Sequence, residues 1–246
     1  GRSREWATKS SWVLAVLLIL NGTEILIRNL VLGTMPLSNA HDAYSFLAFS
    51  LLFVYLIIEM GMKEKGSGLF IMFFGFLLQV VALRYLSWEP ETSPLLSNPS
   101  FAIHASLAIM GYTAFSLSAI YALLYLVQQR NLKSRNLGKL FNQLPALNYL
   151  ERLTTRSTLV GIILMGIALI FAHRMARITI GSYWPSDPKV IMSDAVWVIY
   201  LVGYLLARLL KWRGKRQAYV ALSLFILLIV GAGLVIIGTE TFHQFY

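Results

Sequence analysis

Apolar and polar positions alternate in blocks along this chain, and the blocks are long. Seven runs stand out: roughly 11–32, 43–61, 69–86, 101–128, 157–176, 190–210 and 218–239. Each is close to the ~20 residues that an α-helix needs to cross a hydrocarbon core. Polar breaks rich in Lys, Arg, Pro, Gly and Ser separate them. Lipid offers no partner to backbone N–H and C=O groups, so the runs are expected to be helices rather than strands. The expected fold is all-α: a polytopic transmembrane bundle of about seven spans, one membrane domain over residues 1–246.

Composition agrees. Hydrophobic residues make up 57% and charged residues 13% of the 246, against about 25% charged in a soluble domain. A water-soluble fold of this length would lack polar surface to cover itself. The net charge of +10 does not point to nucleic acid, because the basic residues sit in short loops where topology signals lie.

Those loops set an orientation. Arg2, Arg4 and Lys9 precede the first run, and Lys63 and Lys65 follow the second. Arg130, Lys133, Arg135, Lys139, Arg152 and Arg156 fill the longest loop, and Lys211, Arg213, Lys215 and Arg216 follow the sixth run. With seven spans, all of these fall on one side. The other side carries few cations and holds Glu89, Glu91 and Glu240. The positive-inside rule then puts the N-terminus in the cytoplasm and the C-terminus outside. Within the long basic loop, the apolar stretch Leu140–Leu150, with Pro145 inside it, is expected to form a short interfacial helix.

The chemistry-bearing residues are few. There is no cysteine, which excludes disulfides, thiolate metal sites and covalent haem attachment through this chain. No His-x-x-His or Glu-x-x-His pair marks a zinc or di-metal centre, and no nucleophile–base motif marks a catalytic one. The four histidines, His41, His104, His173 and His243, all fall on the acidic, outer side in this topology. Arg84, Arg174, Arg177 and Lys189 lie at the same level, with Trp88, Tyr183, Trp184 and Trp197 nearby in depth. Imidazoles, cations and aromatics at one surface suit a haem: axial nitrogens, propionate partners and rings against the macrocycle. Interfacial anchoring explains the aromatics and arginines equally well. His104, Ala108, Gly111 and Ser118 share a stripe of small residues, which turns His104 toward protein rather than lipid. Glu24 and Arg28, four residues apart in the first run, are expected to form a structural ion pair.

Several stretches resemble one family. GTMPLSNAHDAYSFLAFSLLFVYLIIE (33–59) is similar to the G-x-x-P-x-S-N-x-Y-E-S helix entry of the cytochrome c assembly (CcsA/HemX-like) membrane proteins, with His41 for tyrosine and Asp42 for glutamate. IHASLAIMGYTAFSLSAIYALLYL (103–126) resembles a histidine-led helix of that family, and GSYWPSDPKVIMSDAVWVIY (181–200) its tryptophan-rich outer loop. KWRGKRQAYVAL (211–222) and TFHQF (241–245) resemble its G-W-R-G-R-R-A-A segment and its closing G-x-H-S-Y. The matches keep their order over nearly the whole chain.

The resemblance implies a protein that handles non-covalent haem b at the outer face of a bacterial inner membrane and has no catalytic centre of its own. Its partners would be the bilayer, haem, c-type cytochromes and other membrane subunits. It implies His104 and His243 as haem-iron ligands. Tyr183, Trp184, Asp187, Lys189 and Trp197 would belong to the haem-presenting loop; apart from the resemblance, Arg174 and Arg177 are expected as propionate partners because guanidinium–carboxylate pairs are strong in partly dry sites. The departures are specific. Ile180, Ser186 and Met192 stand for tryptophans, Val190 for a glutamate, and the DPKV ending is closer to the HemX branch. Asn21 or Thr23 and Ala207 lie where the family has an intramembrane histidine pair. The family also carries one further helix ahead of the first span. Two other functions fit the same features: a membrane anchor or haem b electron-transfer subunit of a cytochrome complex, and a regulator of haem synthesis acting through residues 128–156.

The orientation is testable because the chain has no cysteine of its own. A single cysteine at Ser134 is expected to label only from the cytoplasmic side and one at Ser38 only from outside. External labelling of position 134 in intact cells would overturn the topology.

Overall fold

In the computed structural model, residues 2–33, 37, 39–59, 68–87, 99–134, 145–184 and 186–238 are described. They form seven helices and no strand: α1 (Arg2–Leu32), α2 (Ala40–Glu59), α3 (Gly68–Arg84), α4 (Pro99–Lys133), α5 (Leu147–Ile180), α6 (Pro188–Leu209) and α7 (Lys215–Gly238). Each helix overlaps one expected run, and residues 60, 61 and 239 of those runs lie outside the described residues. Five of them, in α1, α2, α4, α5 and α6, are long and apolar enough to cross a membrane. α7 has 24 residues and α3 only 17. Most helices outrun their apolar stretch, because a backbone already hydrogen-bonded along its axis continues into the polar interface until a breaker stops it. The protein is a multi-pass helical membrane bundle.

The expected interfacial helix is corrected in part. Residues 140–144 lie outside the described residues, but Leu147–Leu150 form the first turn of α5, and Tyr149 and Leu150 are fully buried. Pro145 and Ala146, the latter extended at φ −58° and ψ 145°, mark the helix start. From there the backbone enters the span without a break.

Successive helices run antiparallel. α4 and α5 pair along most of their length: His104 meets Ala168, Gly111 meets Met165, Phe115 meets Gly161, and Ser118 meets Thr154 and Thr158. The approach is closest at Gly161, where a Cβ would stand 2.5 Å from the Phe115 ring and 3.2 Å from the Gly111 carbonyl. Small residues at this crossing let the backbones meet, which is how helices associate where lipid supplies no hydrophobic drive between them. Phe115 in turn stacks on Tyr200 of α6 at 3.8 Å between centroids. The second core joins Leu52, Tyr55 and Ile58 of α2 to Leu117, Tyr121 and Tyr125 of α4, Leu150 and Leu153 of α5, and Ala218 and Ala221 of α7. Apolar side chains left exposed, such as Ile19, Leu30, Phe73, Phe76 and Ile170, face outward, as a lipid-bathed surface requires.

α1, α2 and α3 are held together by polar groups. Arg28 is buried and donates from Nε to Asp42 Oδ1 at 2.7 Å, and it also bonds the Ser87 carbonyl. Glu24 accepts from Ser45 Oγ at 2.7 Å and meets His41 Nε2 at 3.1 Å. The local Glu24–Arg28 pair expected from spacing is therefore not made. Both side chains turn to α2, where burial between helices offers each a partner with less competition from solvent than a neighbour on the same helix face. Gln79 extends the chain of bonds, donating to Ser45 Oγ at 3.4 Å and accepting from Asn21 Nδ2 at 2.9 Å. Asn39 caps α2, its side-chain oxygen accepting from Asp42 N at 2.9 Å.

Two outcomes follow for the intact protein unfolded thermally in detergent. Asp42→Asn removes the charge opposite a buried guanidinium and is expected to cost about 3–5 kcal/mol. Glu24→Gln, on a side chain 35% exposed, is expected to cost clearly less. The reverse order would sink this pairing scheme. Gly161→Ala forces a methyl into the Phe115 ring and is expected to cost about 1–3 kcal/mol. An unchanged melting temperature would mean α4 and α5 are not packed this closely.

Candidate functional site

The antiparallel order brings His41, His104 and His173 to one end of the bundle, opposite the cluster of lysines and arginines. They are not equivalent. The Nδ1–H of His41 donates to the Ala82 carbonyl at 2.9 Å while Nε2 faces Glu24, so both ring nitrogens serve the α1–α3 packing. His173 likewise donates from Nδ1 to the Tyr183 carbonyl at 2.7 Å and bonds Asp194 through Nε2 at 3.0 Å. His104 donates from Nδ1 to the Ala168 carbonyl at 2.9 Å. A carbonyl can only accept, so in the neutral ring the lone pair sits on Nε2. Metal-ligating histidines are oriented in this way, by a hydrogen bond from the ring nitrogen that does not touch the metal.

The connection from α5 to α6 is pinned at three points. Gly181 ends α5 at φ +82°, its N–H returning to the Arg177 carbonyl at 3.1 Å; a left-handed cap of this kind favours glycine. His173 holds the Tyr183 carbonyl, and Arg177 bonds the Gly181 carbonyl. Asp187 then caps α6, accepting from Val190 N at 3.2 Å, with Pro188 in the first helical position. Between these pins two aromatics are offered outward, Tyr183 at 52% and Trp184 at 72% exposure. Trp184 lies 5.4 Å from the His173 ring, and Arg177 lies 5.5 Å from the centre of the Tyr183 ring.

The structure thus gathers Tyr183, Trp184 and Arg177 with His173 at one corner. Arg174 is exposed one residue beyond His173. Trp197 lies apart from the loop: its indole N–H donates to the Ile162 carbonyl at 2.9 Å, and its ring packs on Gly166 between α5 and α6. Asp187 is buried in its capping role. His243, Trp88 and the Lys189 side chain lie outside the described residues.

Sequence reasoning missed the His173–Asp194 clamp. Its signal was present as two polar residues near facing ends of consecutive spans, which a tight connection must bring together. The positions expected for intramembrane histidines carry other bonds: Asn21 donates to Gln79, Thr23 Oγ1 donates to the Ile19 carbonyl at 2.7 Å, and the Ala207 carbonyl accepts from Trp212 N at 2.8 Å.

Comparison with known proteins places this geometry. The model of the family described as "Cytochrome C assembly protein" matches residues 37–243, from the entry to α2 past the end of α7. Protein HemX of Brevibacillus brevis is 26% identical over 209 residues, covering 80% of this chain and 75% of that protein. Protein HemX of Bacillus subtilis is 25% identical over 233 residues, covering 93% and 83%. Cytochrome c biogenesis protein CcsA of Prochlorococcus marinus is 27% identical over 262 residues, covering 92% and 81%. A match that spans six of the seven described helices shows that the chain belongs to the cytochrome c assembly family of membrane proteins.

Proposed function

We propose that this protein holds or presents non-covalent haem b at the outer face of a bacterial inner membrane during cytochrome c maturation, with c-type cytochromes or other membrane subunits as partners. The observation that carries the reading is the family match over residues 37–243, which takes in both His104 and His243. In support, His104 stands at the same end of the bundle as the exposed Tyr183 and Trp184, with its ring oriented by the Nδ1 bond to the Ala168 carbonyl, while His41 and His173 each bond an acid through Nε2.

The residues fit the group. His104, with His243, would supply axial nitrogens. Arg174 and Arg177 at the end of α5, with Lys189 at the start of α6, would pair with propionates. Tyr183 and Trp184 would lie against the macrocycle. Asp187 and Trp197 act through others: the first sets the start of α6, and the second seats α6 on α5. With no cysteine on the chain, nothing here forms a thioether to haem, which suits a carrier that must give its cargo up.

The test is a visible spectrum and haem quantification of the purified protein and its variants. His104→Ala is expected to abolish the low-spin spectrum, as is His243→Ala, while His41→Ala leaves the spectrum in place and lowers thermal stability. Haem that exchanges into apomyoglobin is the expected behaviour of the wild type. Full retention of spectrum and haem content by His104→Ala would refute the assignment, and stoichiometric haem that never exchanges would favour a fixed electron-transfer subunit.

A further inference from the structure

A second site opens at the opposite, basic end. α5, α6 and α7 splay there around a cavity of about 990 Å³. Among the described residues, Arg152 and Arg156 of α5, Arg208 of α6, and Lys211 and Arg213 of the following turn line it, against one carboxylate, Glu151. Its inner wall is apolar, with Val220 and Leu224 of α7, and its edges reach Leu159 and Leu209, both exposed on the lipid-facing surface.

The turn that brings in Lys211 and Arg213 is built at a cost. Trp212 N returns to the Ala207 carbonyl at 2.8 Å and Lys211 N to the Arg208 carbonyl at 3.2 Å, the bond pattern of a helix end closed by a left-handed residue. That residue is normally glycine, yet here it is Lys211, at φ +52°. A strained side chain that persists at a cavity wall points to a role for what the side chain carries. Gly214, at φ +59°, closes the turn under α4, where a Cβ would stand 2.7 Å from the Tyr125 hydroxyl. The cations are therefore held on a fixed turn rather than a loose one.

Arg156 already donates to the Ile58 carbonyl at 3.1 Å; Arg208, Lys211 and Arg213 bring three further positive charges to the recess, and an anion between them relieves their repulsion. Among the described residues, no histidine, cysteine or methionine lines the cavity, so these offer none of the usual soft or imidazole ligands for iron. Arginine forks match phosphate oxygens, and basic recesses between helices at a membrane surface hold anionic headgroups. We propose that this cavity binds the phosphate headgroup of an anionic phospholipid from the surrounding leaflet, its acyl chains leaving past Leu159 and Leu209.

The test uses the intact protein in neutral detergent, titrated in turn with phosphatidylglycerol, phosphatidylcholine and inorganic phosphate, with the melting temperature as readout. Phosphatidylglycerol is expected to raise it saturably, and the other two are not. Lys211→Gly keeps the turn and relieves its strain, so its lipid-free melting temperature is expected to hold or rise while its apparent affinity for phosphatidylglycerol falls about fivefold. Arg208→Gln is expected to give a similar loss of affinity. Lys133→Gln, at the same end but outside the cavity, is expected to keep wild-type affinity. Three results would overturn the proposal: an equal shift with phosphatidylcholine, which means generic lipid stabilisation; an equal shift with inorganic phosphate, which means a soluble anion site; and an undiminished phosphatidylglycerol response in both Lys211→Gly and Arg208→Gln.

Discussion

A polar side chain in a bilayer must find its partner inside the protein, and that demand sets the register of α1 on α2, α2 on α3, α4 on α5 and α5 on α6. Apolar faces slide past one another at little cost in lipid, since hydrocarbon is as good a neighbour as leucine. Directional bonds do not slide. Arg28 to Asp42 fixes α1 on α2, and His41 to the Ala82 carbonyl fixes α2 on α3. His104 to the Ala168 carbonyl and Ser118 to Thr158 fix α4 on α5. Trp197 to the Ile162 carbonyl and His173 to Asp194 fix α5 on α6. The small residues at Gly111 and Gly161 then let the helices close to the distance at which these bonds form.

This division of labour explains what the sequence could disclose. Span number and alternation follow from local quantities, the length of an apolar run and the charge of the loop after it, and both are readable one segment at a time. Partner choice is not local. Glu24 and Arg28 sit at the spacing of an ion pair, and on an isolated helix they would make one. In the bundle each meets a better-buried partner on α2, at least 14 residues away along the chain. Asp194 remained unconnected in the sequence for the same reason, since its partner His173 lies across a turn whose shape depends on Gly181, Asp187 and Pro188 together. The stretch before α5 failed differently. Its apolar, proline-containing composition fits an interfacial helix as well as a helix start, and only the continuity of the backbone through Leu147–Leu150 separates the two.

The candidate site was legible as a set of residue types at one level and illegible as a division of roles among them. Four histidines look alike in a sequence. In the bundle His41 and His173 each donate from Nδ1 to a carbonyl and bond an acid through Nε2, which marks those two imidazoles as packing groups. The aromatics divide in the same way. Trp184 and Trp197 are both tryptophans of the α5–α6 region, but the first lies on a pinned turn facing outward and the second spends its N–H inside the helix interface.

The two ends of the bundle therefore work under opposite electrostatic rules. At the histidine end cations are few and lie beside exposed rings, where a planar, dianionic, largely apolar molecule gains from stacking and needs only a pair of guanidinium contacts. At the basic end cations crowd one recess, and a left-handed lysine holds part of that charge in place against the preference of the backbone. A surface that must release its cargo is served by modest, exposed contacts, whereas a recess of concentrated charge retains an anion. On the function proposed above, the exchangeable step would belong at the histidine end, with the basic end as the fixed anchor against which it operates.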